Sequence, residues 1–315
     1  MRILITGGAG YIGSELVYSL AQLPEVTNIT IYDNLSRGNY NVFLGRKIEG
    51  TKVQFVHGEI LDSRKLRTVL KNIDIVFHLA AKVTTPFANL DGHVFEQINH
   101  WGTAELIYAL EENPVKQLIF LSSSAVYGNT SQPATEETAT NPDSFYSISK
   151  YRAEQHILRL FNKTNALIVR LGNVYGYSKS MRFDAAINRL MFDAHYTGRI
   201  TINGTGMQQR SFIHINKVTN ILTQLLHKQV PSGVYNLSDK NLSILEISEA
   251  LSTVYPGVES FFINQNYAGH NLQIERDAKI LQYVSLPESN LEHELRAFKE
   301  QFSFYMSAAG DAFVI

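Results

Sequence analysis

Short apolar runs, most of them followed by a segment with helical spacing, dominate the first half of the chain. They are Ile3–Thr6, Ile29–Tyr32, Val53–Val56, Ile75–His78, Leu118–Leu121 and Leu167–Leu171. Most are apolar at consecutive positions, not at alternate ones. Such a strand has protein on both faces, the environment of a parallel sheet between layers of helices. Helical spacing runs through Tyr11–Leu23, Arg64–Lys71 and Val94–Glu111. Repeated strand–helix units with right-handed crossovers predict an α/β fold, a doubly wound parallel sheet. The pattern loosens after Gly176. A helix at Phe183–Tyr196, a strand at Ile200–Ile202, a glycine-rich turn at Asn203–Gly206, a strand at Val234–Leu237 and a helix at Ser243–Val254 are expected there. Residues 1–176 are therefore read as one domain. Residues 177–315 are read mainly as a smaller α/β lobe over the carboxyl ends of the strands, with some segments returning to the first domain.

Composition narrows the function classes. The 315 residues, 44% of them hydrophobic, suffice for a large core and a small second one. The 28 Lys and Arg nearly balance 29 Asp and Glu, so electrostatics give no case for a nucleic-acid or membrane partner. Cysteine is absent, which excludes disulfides and thiol catalysis. The first residues already read as a strand, and no run approaches the roughly 18 apolar residues of a membrane span, so a cytoplasmic protein is expected. None of the histidines has metal-ligand spacing. His293-Glu294 starts like a zinc-protease helix, but Ala297 stands where the second ligand belongs, and no metal is expected. His78 is read as a packed, hydrogen-bonded core residue. Tyr175, Tyr177, Phe183, Phe192 and Tyr196 are read as packing of the second lobe.

Between the first strand and the first helix lies Thr6-Gly7-Gly8-Ala9-Gly10-Tyr11-Ile12-Gly13. Glycines at 7, 10 and 13 let the turn close, let N–H groups approach a pyrophosphate and let the helix pack on the strand. Asp33 ends the second strand about 20 residues later, where an acid grips the adenosine ribose. A tight turn with a capping aspartate is the bland alternative. The strand before and the helix after favour a dinucleotide. A carboxylate at Asp33 would repel a 2′-phosphate, which argues for NAD, although Arg37 nearby softens that preference.

Tyr146-Ser147-Ile148-Ser149-Lys150 opens another helix. Spacing of four places Tyr146 and Lys150 on one face. A free phenol titrates near pH 10. A neighbouring ammonium and the positive nicotinamide would pull that value down, so that Tyr146 can take a hydroxyl proton as hydride leaves. Lys150 would also bond the nicotinamide ribose. Ser122, Ser123 and Ser124 follow the fifth strand, at the end of the sheet where ligands bind. Alone, Tyr-x-x-x-Lys is a common surface pair; in order behind the glycine turn, the acid and the serines it reads as a site.

At these residues the chain resembles the extended short-chain dehydrogenase/reductase family, the NAD-dependent epimerase/dehydratase group with a Rossmann fold, over roughly Met1 to Leu281. The matching blocks are the glycine turn, Tyr32 to Gly38, Val76 to Ala81, Asn99 to Thr103, Leu121 to Gly128, Tyr146 to Lys150, Arg170 to Gly176 and Arg210 to His214. The stretch Asp33-Asn34-Leu35-Ser36 is similar to UDP-glucose/UDP-galactose 4-epimerases. The resemblance implies cofactor contacts from Gly7, Gly10, Tyr11, Ile12, Gly13, Asp33, Asn34, Arg37 and Gly38. It implies adenine contacts from Glu59 and Ile60, with Glu59 standing where the family usually has Asp. Leu79, Ala80, Ala81, Lys82 and Ser122 would line the nicotinamide side, and Asn99 would order the active-site helix. The catalytic hydroxyl falls on Ser123, with Tyr146 and Lys150. Lys82, Ser123 and Tyr146 would touch the sugar, Asn173 the phosphate region, and Arg210 the diphosphate through its planar fork.

Two departures carry information. Family dehydratases place Asp-Glu after the catalytic hydroxyl, and decarboxylases a Glu; this chain has Ser124 and Ala125, so elimination is not expected. The stretch Tyr267-Ala268-Gly269-His270-Asn271 lacks the family's second phosphate-binding Arg, the nearest being Arg276. The implied function is epimerisation of a UDP-hexose at carbon four. The alternatives are a nucleotide-sugar dehydrogenase or reductase with net redox, and a non-catalytic dinucleotide sensor. A homodimer is implied through the helices Val94–Glu111 and Phe145–Phe161, whose faces carry Ile107, Leu110, Ile157 and Leu160, although burial of these side chains against the chain's own sheet fits equally well.

Overall fold

The computed structural model describes residues 1–44, 48, 50–83, 91–264 and 270–304. Tyr267–Gly269, named above, lie outside the described residues. In chain order the elements begin β1 (Arg2–Thr6), α1 (Tyr11–Ala21), β2 (Asn28–Asp33), β3 (Lys52–His57), α2 (Ser63–Val69) and β4 (Ile75–His78). A continuous helical stretch follows: α3 (Gly92–Phe95), a π-helical segment (Glu96–Trp101) and α4 (Gly102–Glu112). Then come β5 (Gln117–Ser123), α5 (Phe145–Leu158), β6 (Asn165–Leu171), β7 (Asn173–Tyr175), α6 (Ala186–Thr197), β8 (Arg199–Asn203), β9 (Gln209–His214) and α7 (Ile215–Gln224). The chain closes with β10 (Gly233–Leu237), β11 (Lys240–Ser243), α8 (Ile244–Val254), β12 (Glu259–Ile263) and α9 (Leu291–Lys299).

Seven strands form one sheet in the order β10-β6-β5-β4-β1-β2-β3. All its pairings are parallel. Consecutive residues of a strand serve opposite cores, which explains the unbroken apolar runs. Ile3 and Ile5 pack with Leu16, Val17 and Leu20 of α1 and Val218, Ile221 and Leu222 of α7. Leu4, Val76, Leu118 and Phe120 pack with Leu66 of α2, Leu106 and Leu110 of α4 and Ile157 of α5. The chain leaves β1 toward β2 on one side and β4 toward β5 on the other. The crevice beyond their carboxyl ends is the switch point at which ligands bind in such sheets.

A third core, with Ile187, Met191, Ile200, Phe212, Ile247, Leu251 and Leu295, forms the smaller lobe. Its strands pair as β11-β9-β7 and β12-β8. Strand Val234–Leu237, from the looser half, returns to the edge of the main sheet, in register with Ile168–Leu171. Strands β7, β9, β11 and β12 and helices α7 and α9 were not among the expected elements. Strands β7 and β9 are short, and their apolar residues divide between two cores, Val174 and Ile213 facing the first and Tyr175 and Phe212 the third, which blurs any single period. Ile107, Leu110, Ile157 and Leu160, read above as a dimer face, are all buried in the chain's own core. Among the described residues no helix is long and apolar enough to cross a membrane, and no group of three or more His, Asp or Glu could hold a metal.

Candidate active site

The glycine turn is closed to side chains by backbone. At Gly7 φ is 71°, and a Cβ there would lie 2.6 Å from the Ala80 nitrogen. A Cβ on Gly13 would meet the Gly7 carbonyl oxygen and come within 2.7 Å of the Gly8 Cα. Gly10 is the N-cap of α1 and brings no side-chain cap. The first-turn N–H groups are thus available to an external anion, and the cradle fits a dinucleotide's pyrophosphate. Asp33 hangs beside it. One carboxylate oxygen accepts from the Ala9 N–H at 3.0 Å and the other from the Leu35 N–H at 2.8 Å. Each oxygen keeps a lone pair for a ribose hydroxyl. Burial pushes this carboxyl above its ordinary value, against the pull of those two backbone bonds.

Several expected cofactor residues have other partners. Arg37 meets Asp184 of the second lobe at 3.4 Å, and Arg182 Nε lies 3.3 Å from the same carboxylate, so the cation near Asp33 is drawn away from the ribose side. The Asn34 amide donates to both Glu59 oxygens at 3.0 and 2.9 Å. Ile60 is turned into the core against Gly102, which leaves its backbone to a base. The Tyr11 hydroxyl donates to the Gly176 carbonyl at 2.6 Å and accepts from Asn188 at 3.1 Å, so it ties α1 to the second lobe. Ile12 packs against the first core. Gly38 adopts φ 66°. Ser122 donates to the buried Glu154 carboxylate at 2.5 Å, away from any ligand.

The other side of the crevice is built on β4 and the long helical stretch. The Leu79 N–H bonds the Thr6 carbonyl at 3.0 Å and the Ala80 N–H reaches the Thr6 hydroxyl at 3.4 Å, which fixes 79–82 beside the glycine turn. His78 is fully buried between Thr6 at 2.7 Å and Thr103 at 2.9 Å, as expected of a core histidine, and burial holds it near about 3. Asn99 sits in the π-helical segment, a feature common where function needs a displaced side chain. Its amide accepts from the Lys82 N–H at 2.8 Å and donates to the Lys82 carbonyl at 3.0 Å and to Ser149 at 2.9 Å. Ser149 in turn donates to the Tyr146 carbonyl at 2.8 Å. Asn99 therefore ties the end of β4 to the first turn of α5.

That turn is set by a capping box between Ser144 and Ser147. It presents Tyr146, half-buried, toward the side chain of Ser123 at the end of β5, which favours the charged form of the phenol. Lys150, one turn on, is buried; its amine donates to the Leu121 carbonyl at 2.5 Å and lies 4.2 Å from the centre of the Phe120 ring. Burial draws the amine down to about 7, opposed by the charge of Glu154. The expected downward pull of Lys150 on the phenol is not what dominates here. Burial pushes Tyr146 up, while Ser123 and the charge of Arg182 oppose. Arg182 was not singled out from the sequence; it stands in an irregular loop with no periodicity to mark it. Ser124 is buried and the Ala125 N–H donates to Ser123 at 3.2 Å, so neither position offers a carboxylate.

Across the crevice a cavity of about 270 Å³ is lined by Asn173, Arg210, Asn203, Gln208, Phe212 and neighbouring apolar side chains. Asn173 and Arg210, read separately from the sequence, thus share one pocket. Asn173 also donates to the Ser211 carbonyl at 3.0 Å. Arg276, the nearest Arg after the departing stretch, is exposed.

A doubly wound sheet carrying this cradle, this acid and this serine–tyrosine–lysine group defines the extended short-chain dehydrogenase/reductase class. The profile of the NAD dependent epimerase/dehydratase family matches residues 3–238, and the chain belongs to that family. It is 30% identical over 274 residues to dTDP-D-glucose 4,6-dehydratase of Dictyostelium discoideum, covering 80% of this chain but only 62% of the relative's length. It is 29% identical to the ADP-L-glycero-D-manno-heptose-6-epimerase of Brachyspira hyodysenteriae, covering 83% of each. The fold superimposes on UDP-glucuronic acid 4-epimerase from Bacillus cereus, solved with UDP-glucuronic acid and NAD. The TM-score is 0.84 and the identity 25%, over 95% of this chain and 98% of that one.

Proposed function

We propose that the chain is an NAD-dependent nucleotide-sugar epimerase that inverts carbon four of a UDP-hexose. The observation that carries this over elimination is the pair Ser124 and Ala125 beside Ser123, where a dehydratase needs carboxylates. The similarity to a 4-epimerase of UDP-glucuronic acid supports the sugar-nucleotide class. Bound NAD supplies a hydride acceptor that later returns the hydride. Tyr146 takes the proton of the reacting hydroxyl and gives it back, while Ser123 bonds the reacting oxygen. Because burial raises the free phenol, that step depends on positive charge beside it, which Arg182 supplies and to which Lys150, one helical turn away, adds when charged. Asn173 and Arg210 hold the diphosphate in their shared cavity while the keto sugar turns over. Lys82, at the end of the tether made by Asn99, lines the sugar side.

The test is a proton-NMR time course with a panel of UDP-hexoses. The expected result is interconversion of one C4 pair with no accumulation of NADH. Failure on every pair overturns the reading. Steady NADH production would indicate net redox, and NAD binding without any turnover a sensor.

We further propose a cytoplasmic homodimer. Its support is the aromatic surface of the helices named above: Trp101 at 52% exposure, with Tyr108, Phe145 and Leu158 also exposed. A monomer by sedimentation at micromolar concentration would sink the dimer.

A further inference from the structure

One buried charge cluster behind the reacting side chains is not used by the mechanism above. Glu154 follows Lys150 by one helical turn and is 1% exposed. Arg170 grips it with a two-pronged contact, Nε to one oxygen at 3.0 Å and Nη2 to the other at 2.7 Å. Ser122 donates to the first oxygen at 2.5 Å, and Ser122 and Arg170 are side by side in the register of β5 and β6. Arg170 is held from its far side by Tyr127, whose ring centre is 4.8 Å away and whose hydroxyl donates to Asn236 at 2.8 Å. A buried pair of this kind adds little to stability over well-packed apolar side chains. Its placement is more telling. Ser122 is joined to Ser123 in the chain, and Glu154 shares the face of α5 that carries Lys150.

We propose that Glu154 is a positioning residue for the reaction: clamped by Arg170 and Ser122 one helical turn from Lys150, its carboxylate favours the charged form of the amine behind Tyr146. Lys150 needs such help. It lies on the Phe120 ring with one carbonyl partner, and water, which would otherwise stabilise its charge, is excluded. The titratable groups around it are His78 on β4, which burial keeps neutral, Tyr146 and Glu154 on its own helix, and Arg170 and Tyr127 beyond Glu154. Glu154 is the one anion among them. A neutral Lys150 could not stabilise the phenolate, so loss of the carboxylate would remove a cation on which proton transfer depends. This role rests on the proposed function for its consequence in turnover, but the charge state of Lys150 can be measured without any substrate.

The experiment is a pH titration of the holoprotein carrying carbon-13-labelled lysine, with the Lys150 Cε resonance followed by NMR and assigned from its loss in Lys150→Met. In Glu154→Gln the midpoint of Lys150 is expected to fall by about one pH unit or more, and Glu154→Asp is expected to restore most of it. Should Gln leave Arg170 unpaired and the protein unfolded, the double variant Glu154→Leu/Arg170→Met keeps the packing without a stranded charge and is expected to give a smaller fall in the same direction. If turnover is found, the alkaline limb of its pH profile moves down with the Lys150 midpoint in the Gln variant and recovers in the Asp variant. An unchanged Lys150 midpoint in a folded Gln or double variant overturns the proposal, whether or not the protein turns out to be an epimerase.

Discussion

Replacing Asn99 by Leu separates the tether from the chemistry, because Asn99 touches neither the reacting hydroxyls nor the glycine turn. Its amide satisfies three partners: the Lys82 N–H at 2.8 Å, the Lys82 carbonyl at 3.0 Å and Ser149 at 2.9 Å. At 2% exposure no water replaces them. Each lost bond of this kind costs about 1 kcal/mol, so the variant should lose roughly 3 kcal/mol. For a chain of this size that lowers the thermal midpoint by roughly 4 to 5 °C. The functional effect follows a separate route. Ser149 also bonds the Tyr146 carbonyl, so the first turn of α5 loses its tie to β4. A displacement of Tyr146 by about 1 Å is enough for a roughly hundredfold loss of turnover. Calorimetry and initial rates at saturating substrate measure the two effects on the same protein. Asn99→Asp keeps the acceptor for the Lys82 N–H and should fall between wild type and Leu in both assays. A Leu variant with a thermal midpoint within about one degree of wild type and unchanged turnover would show that the contacts around Asn99 are incidental.

Gly13→Ala puts a methyl against the Gly7 carbonyl oxygen and the Gly8 backbone; it should cost about 1 to 3 kcal/mol of stability and abolish NAD binding, as read by calorimetric titration. Tyr146→Phe should lower turnover by roughly 10² to 10⁴ with the melting point nearly unchanged, and Ser123→Ala by less; a fully active Phe variant would end the proposed mechanism. Burial lowers His78 from its ordinary 6.5 to about 3, so its contribution to stability is complete above pH 6.5 and is lost as pH falls toward 3. A His78→Asn variant should therefore show a flatter loss of melting temperature across that window than wild type does.

The main sheet was legible because its physics is local. A strand buried on both faces must be apolar at successive positions, and Ile3, Leu4 and Ile5 divide between two cores as that rule requires. The glycine spacing was legible because backbone closes on backbone at Gly7 and Gly13, a constraint no side chain can satisfy. What stayed hidden depends on partners far apart in the chain. Nothing around Arg37 announces Asp184, 147 residues away, yet that pair decides which way the guanidinium points. Likewise Ser122 carries a hydroxyl at the correct end of the sheet, and only the approach of Glu154 from α5 reveals that it faces the core. The same reason explains why burial, not Lys150, dominates at the free phenol. Spacing of four puts Lys150 on the face of Tyr146 and suggests a lowered value, but spacing says nothing of desolvation, which acts on both side chains and drives them toward their neutral forms. Opposing that tendency requires charge from outside the pair. The sheet delivers it through an acid, Glu154, placed by Arg170 and Ser122 on two neighbouring strands, so the reactivity of Tyr146 is set as much by the register of β5 and β6 as by the motif that contains it.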